Sequence, residues 1–252
     1  MKSERDFIIC LLDVLGFENL FAKLGLEKIQ SKYEELIEVA NKHNFELAIT
    51  IGPEGHPRIG NPGIKSAYFS DTLLFWCPYD VFRLEVILNS MSEVICRLIE
   101  LGLPLRGAVS VGKVVIDKER GIYLGQPIIS AARAETVQRW IGVTLSKAFD
   151  VQPYNGGFKA DVILQYDKHL KPDSQLKVIP LVLDYPRHWR ISRKTSLTKA
   201  VEKLNLDPQY AEYYENTISF VDHSEQNHDW WVSHPEYEKT ISKSRTTEEK
   251  TP

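Results

Sequence analysis

Cysteine is scarce in this chain of 252 residues, and neither sign of charge dominates it. The three cysteines, Cys10, Cys77 and Cys96, are odd in number, widely spaced and set among apolar residues. That excludes a disulfide framework and offers none of the close pairs of a zinc site, so they read as reduced packing thiols. Lys and Arg number 31 against 34 Asp and Glu, a net charge of −3. Basic residues nowhere alternate with aromatics in a stripe, so no nucleic-acid partner is expected. Long hydrophobic runs are missing too: Phe7 to Leu12 falls far short of the ~20 residues a bilayer span needs. The opening Met1-Lys2-Ser3-Glu4-Arg5-Asp6 lacks a signal-peptide pattern. The expectation is a soluble, cytoplasmic protein without direct membrane insertion. At 43% hydrophobic residues, the chain can bury the core of one sizeable domain with residues left for an appendage.

What is present is periodic. Phe7-Ile8-Ile9-Cys10-Leu11-Leu12 is short and continuously apolar, as a strand buried on both faces would be, and it closes on Asp13 before Gly16. Ile29, Tyr33, Leu36, Ile37 and Ala40 recur at helical spacing opposite Glu34, Glu35 and Glu38, which predicts a helix over about residues 27–42. Two Gly-Pro clusters, Gly52 to Pro57 and Gly60 to Gly63, punctuate a loop. Tyr68 to Trp76 reads as a hairpin with Ser70-Asp71 at its tip. From a cap at Asp80, Leu84, Ile87, Leu88, Met91, Val94, Ile95, Leu98 and Leu101 mark a long helix that Gly102 terminates. A strand broken by Gly107 and Gly112 follows over Leu105 to Val115, then a helix from Gln126 to Val137 and a strand from Trp140 to Leu145. The succession favours an α+β fold, with helices on one face of an antiparallel or mixed sheet. Residues 1–190 are expected to form the main domain. Residues 191–252, where the composition turns polar, are expected to form a helical appendage, anchored through Trp189, Trp230 and Trp231, and a partly disordered tail. His223, His228 and His234 with Asp222 and Asp229 match no zinc spacing.

Two acids stand where acids are costly. Asp13 closes an apolar strand and Asp71 interrupts an apolar hairpin; a buried carboxylate must be paired, hydrogen-bonded or metal-bound. On neighbouring strands the two would converge and suit hard divalent cations, although a turn at Asp13 and an Asx-turn at Asp71 account for the same spacing. Arg106, opening an apolar strand, and Arg133, in the helix Ser130-Ala131-Ala132-Arg133-Ala134-Glu135, read either as surface cations or as phosphate ligands.

Four segments, Leu12-Asp13-Val14-Leu15-Gly16-Phe17, Phe69-Ser70-Asp71, Leu105-Arg106-Gly107-Ala108-Val109-Ser110-Val111-Gly112, and Leu124-Gly125 through Ala131-Ala132-Arg133, resemble in order and spacing the signature blocks of class III nucleotide cyclases. The resemblance covers residues 6–147 and implies a ferredoxin-like cyclase fold. It places Asp13, Val14 and Asp71 on two Mn²⁺ or Mg²⁺ ions per site. The Gly16-Phe17 turn and Arg106 then lie on the triphosphate, and Arg133 is the catalytic arginine acting across a homodimer interface.

The departures concern the base and the ribose. Ile129 stands four residues before Arg133, where the family usually has a ribose-orienting Asn. Ala67 and Ile122 occupy the purine-selecting positions, and neither can hydrogen-bond a purine edge. In this the chain resembles the pyrimidine cyclases of bacterial Pycsar antiphage systems. The implied substrate is UTP, with CTP next, and the implied product is read by a separate cyclic-nucleotide-binding effector. Tyr68 is the candidate to stack on or hydrogen-bond the base, or else a strand aromatic in the core. A divergent adenylate or guanylate cyclase is the alternative within the class, and a catalytically silent nucleotide-binding dimer the alternative outside it.

Overall fold

The computed structural model describes residues 5–45, 48–51, 57–60, 63–146, 162–171, 178–204 and 207–227. His228, Asp229, Trp230, Trp231, His234 and the polar C-terminal stretch lie outside them, as do residues 52–56 and 61–62 of the expected loop.

Strand β1 (Asp6–Val14) runs through the middle of a seven-stranded mixed sheet, antiparallel to β5 (Thr72–Pro78) on one side and to β6 (Leu105–Lys113) on the other. Its central position explains its unbroken apolar run, since side chains alternate to two faces that are both covered. Beyond β5 lies edge strand β4 (Lys65–Phe69); beyond β6 come β9 (Gly142–Ser146), β11 (Val178–Leu183) and β10 (Ile163–Gln165). Among the described residues only the β6–β9 pairing of this sheet is parallel. Two small hairpins stand apart, β2 (Ala48–Ile51) with β3 (Pro57–Gly60), and β7 (Val115–Asp117) with β8 (Ile122–Leu124).

Helices cover both faces of the sheet, not one as the element order suggested. Ile8, Cys10, Leu12 and Val14 of β1 join the larger core with α2 (Leu26–Phe45), α3 (Val81–Glu100) and α5 (Tyr185–Ser192). Ile9, with Leu74, Trp76 and Ala108, packs beneath α4 (Gln126–Thr136) through Ala131 and Ala134. The second face escapes a pattern reading because α4 buries little more than alanines, a weak apolar stripe. Helix α3 follows its predicted face: Leu84, Ile87, Leu88, Met91, Val94, Ile95 and Leu98 are fully buried, and the Asp80 carboxylate caps the first turn by accepting from Arg83 N at 2.7 Å. Cys10, Cys77 and Cys96 are free and buried, and burial raises each thiol's pKa.

Past residue 190, α6 (Leu197–Glu202), a 3₁₀ turn (Pro208–Tyr210) and α7 (Ala211–Gln226) set Leu197, Val201 and Phe220 in the larger core. Trp189, 1% exposed, donates its indole N–H to the Thr195 carbonyl at 2.7 Å. His223 lies 2.9 Å from the Gln165 carbonyl. No helix among the described residues is long and apolar enough to cross a membrane.

Glu93 of α3 ties this region to the core, lying 2.7 Å from His188 Nε2 and accepting from Arg193 Nη2 at 2.6 Å. Burial raises its pKa, but the hydrogen bonds and charges of His188 and Arg193 prevail and hold the carboxyl at about 2. Because the folded pKa lies below the unfolded one, the stabilisation is present above about pH 4.5 and lost as pH falls toward 2. Glu93→Gln is expected to lower stability at pH 7 by on the order of 2 kcal/mol, a difference from wild type that shrinks below pH 4 in urea titrations across that range.

Candidate active site

The C-terminal end of β1 and the start of β6 meet at the hairpin tip. Asp13 lies opposite Thr72 on β5 and Arg106 on β6, so these side chains share the α4 side of the sheet. Ser70 and Asp71 form the two-residue connection between β4 and β5, with Phe69 and Thr72 as the closing pair. A tight hairpin demands a left-handed residue, and Ser70 supplies it at φ 54°, a conformation costing a non-glycine residue about 1 kcal/mol. Three hydrogen bonds hold the junction: Val14 N to the Asp71 carbonyl at 3.0 Å, Leu15 N to the Pro104 carbonyl at 2.8 Å, and Tyr33 Oη to the Ser70 carbonyl at 2.8 Å. Gly107 permits the close approach of β6, since a Cβ there would fall 2.5 Å from both the Leu11 carbonyl oxygen and Leu12 Cδ2. Next, Gly16 turns the chain at φ 66° into α1 (Phe17–Leu24), a helix where the sequence suggested only a turn.

The electrostatics centre on Asp13. Burial, then the neighbouring Glu135 and Asp71 carboxylates, push its carboxyl up to about 6 against the opposing pull of Arg106. Burial and the same two aspartates raise the Tyr33 phenol. The structure thus brings Asp13 and Asp71 into one electrostatic neighbourhood with Arg106, and adds Glu135, which sequence reasoning missed. Glu135, 6% exposed, forms an ion pair with Arg106 Nε, and burial raises its pKa despite that pairing. A signal was present in the sequence: Glu135 lies four residues after Ala131 and beside Ala134, both on the apolar face of α4, where a lone acid must have a partner.

The remaining candidates separate. Arg133 is exposed, as are Ile129 and Thr136, on the side of α4 turned away from the sheet, so within one chain it does not join Asp13. Ala67 faces the α4 side, among Leu74 and Trp76. Tyr68 faces the other side, its ring edge-on to Phe75 at 6.0 Å, so the two residues are not neighbours in one pocket. Ile122 is half-buried on β8, but the β8 side chain that meets the hairpin is Tyr123, whose ring lies 5.4 Å from Phe69 and 5.7 Å from Trp76.

No group of three or more His, Cys, Asp or Glu side chains among the described residues is arranged to hold a metal ion. The donor chemistry nevertheless suits a hard divalent cation. Asp13 and Asp71 offer only oxygen, and the repulsion from Asp71 that adds to burial and Glu135 in raising the Asp13 pKa is what a bound cation would relieve.

No family model matches this sequence, and no curated protein matches it. Similarity appears among solved structures. A bacterial light-regulated adenylyl cyclase superposes with a TM-score of 0.50 at 12% identity over 81% of this chain, which spans 58% of that protein. The guanylate cyclase domain of RhGC from Catenaria anguillulae in complex with GTP gives 0.45 at 12%, covering 66% of this chain and 90% of that one. The catalytic core of a rhodopsin-guanylyl cyclase with converted specificity in complex with ATPαS gives 0.49 at 11%, covering 71% and 93%. What is shared at such identity is the fold. The chain therefore shares its α+β fold, a mixed sheet with helices packed on it, with that light-regulated adenylyl cyclase.

Since the folded pKa of Asp13 lies above its unfolded one, the group's stabilising contribution is present below about pH 4 and lost as pH rises through 6. In metal-free buffer, Asp13→Asn is expected to be more stable than wild type by on the order of 2 kcal/mol at pH 7.5, and equal to it near pH 4. Melting curves with added Mn²⁺ are expected to show wild type gaining stability and Asp13→Asn gaining none.

Proposed function

We propose that this protein is a metal-dependent nucleotide cyclase that closes a nucleoside triphosphate into its 3′,5′-cyclic monophosphate, releasing pyrophosphate. The observation that carries the reading is the placement of Asp13 and Asp71 in one electrostatic neighbourhood at the β1 terminus and hairpin tip, beside Arg106. Asp13, Asp71 and the Val14 backbone are the proposed holders of two Mn²⁺ or Mg²⁺ ions, which would lower the pKa of the ribose 3′-hydroxyl and neutralise the departing pyrophosphate. The 3′-oxygen attacks the α-phosphorus, the bond to the β-phosphate oxygen breaks, and the hydroxyl proton passes to solvent. Arg106 and the Gly16-Phe17 turn orient the β- and γ-phosphates. Charge developing on the α-phosphate requires a further cation. Arg133 faces away from the carboxylates of its own chain, which supports a homodimer whose site is completed by the partner subunit's Arg133.

Two readings of the base remain, and each has its own support. The bacterial light-regulated adenylyl cyclase with the same fold favours a divergent adenylate or guanylate cyclase. Ala67, buried and apolar on the site side of β4, favours a pyrimidine nucleotide, UTP before CTP, because it leaves a purine edge without a hydrogen-bond partner. On the pyrimidine reading the cyclic product serves as an antiphage second messenger for a separate effector.

Incubation with Mn²⁺ and each of ATP, GTP, CTP and UTP in turn, with products identified by mass spectrometry, tests the activity and divides the readings. A cyclic nucleotide is expected from at least one substrate, and Asp71→Ala is expected to lower its formation at least about a hundredfold. Cyclic AMP or cyclic GMP selects the purine reading, cyclic UMP or cyclic CMP the pyrimidine one. Triphosphate binding without product would overturn the enzyme in favour of a silent regulatory dimer.

A further inference from the structure

Arg106 is held by more than the acid beside it. Its Nε donates to Glu135, while Nη1 donates to the Gln138 carbonyl and to the Tyr213 hydroxyl, each at 3.1 Å. Nη2 makes no hydrogen bond among the described residues. An arginine fixed through Nε and Nη1 with Nη2 open is oriented in advance to receive a phosphate oxygen, and loses less entropy on doing so than a mobile one. Tyr213 belongs to α7, in the appendage, more than a hundred residues further along the chain. The same appendage reaches the triphosphate turn. Tyr210 packs so closely on Gly16 that a Cβ there would lie 3.2 Å from the ring, and Asp207 Oδ2 accepts from Asn19 Nδ2 of α1 at 3.4 Å. The Tyr210 and Tyr213 rings meet edge-on at 5.4 Å, making one wall from the turn to Arg106.

This wall is built in, not laid on. Thr217, fully buried, accepts from Ile141 N at 2.9 Å; Asn216 Nδ2 donates to the Arg139 carbonyl at 2.7 Å; Phe220 is fully buried against Trp140. Releasing α7 would strand these polar groups and expose that ring, which disfavours a lid that opens at each turnover.

Resting on the cyclase reading above, we propose that residues 207–213 are part of the nucleotide site. Tyr213 is a positioning residue that, with Glu135, orients Arg106 toward the triphosphate, and Tyr210 backs the Gly16 turn. The appendage is then a component of triphosphate binding rather than an attachment to a finished domain.

The test uses the full chain and inorganic tripolyphosphate with Mg²⁺, titrated by calorimetry, which reads phosphate binding without base or chemistry. Tyr213→Phe removes one hydroxyl and keeps the ring, so its melting temperature is expected to match wild type, while tripolyphosphate Kd rises about five- to tenfold. The nucleotide KM should rise in step with kcat held within about twofold, a split that loss of packing alone does not produce. Tyr210→Ala, which uncovers the turn, is expected to weaken binding as well. Unchanged affinity in Tyr213→Phe overturns the positioning role. Tighter binding in both variants overturns it in favour of an obstructing segment. Failure of wild type itself to bind tripolyphosphate is a different result, and overturns the nucleotide reading beneath it.

Discussion

Arg106 is the cation on which the site depends. Asp13, Asp71 and Glu135 share one neighbourhood, and burial, then the charges of Glu135 and Asp71, push the Asp13 carboxyl up to about 6. Arg106 opposes that rise, pairs with Glu135 and donates to the Tyr213 hydroxyl of α7. Replacing it would leave a buried acid unpaired on α4 and crowded carboxylates at the end of β1, and breaking a buried pair in that way costs about 3–5 kcal/mol. The same residue therefore secures the packing of α4 on the sheet, balances the site's charge and, on the proposed reading, receives the triphosphate.

The sheet makes this economical. Pairing β1 between β5 and β6 in antiparallel register sets Asp13 beside Arg106 with no loop between them, and the hairpin tip brings Asp71 to the same end. Residues carried on adjacent strands are fixed by ladder hydrogen bonds, which gives a site its geometry before any ligand arrives. The costs are local and visible: a left-handed Ser70, a glycine at 107 where no side chain fits, and carboxylates crowded together whose charge Arg106 partly offsets. The residual repulsion is what a divalent cation would turn to use.

Much of this was legible in the residues. The apolar run of β1, the 3.6-residue period of α3 with its Asp80 cap, and the polar pair inside an apolar hairpin each have one strong local cause, and the structure follows them closely. The elements that escaped depend on distant partners. Helix α1 begins at a left-handed glycine with no capping side chain, which hides its start, although Phe17, Leu20, Phe21 and Leu24 recur at helical spacing. Helices on both faces were hidden because α4 packs through alanines. Within the site, Asp13, Asp71 and Arg106 stood out as polar residues at the ends of apolar strands, whereas Glu135 looked like one more helix acid. The partnership of Tyr213 with Arg106 joins positions 107 residues apart, which no spacing rule reaches. Tyr68, chosen for adjacency to Ala67, illustrates the alternation of a strand: neighbours in sequence face opposite ways.

The central claim is a catalytic site shared between two copies of the chain, and mixing two inactive variants tests it most directly. Asp71→Ala lacks a carboxylate of the site and Arg133→Ala lacks the arginine that faces away from it. Each alone should be inactive, and a shared site predicts that equal amounts, dissociated and reassociated, recover about a quarter of wild-type cyclic nucleotide formation, since half the dimers are mixed and each mixed dimer holds one complete site of two. No recovery in demonstrably mixed dimers would contradict the account, because both residues would then have to act within one chain.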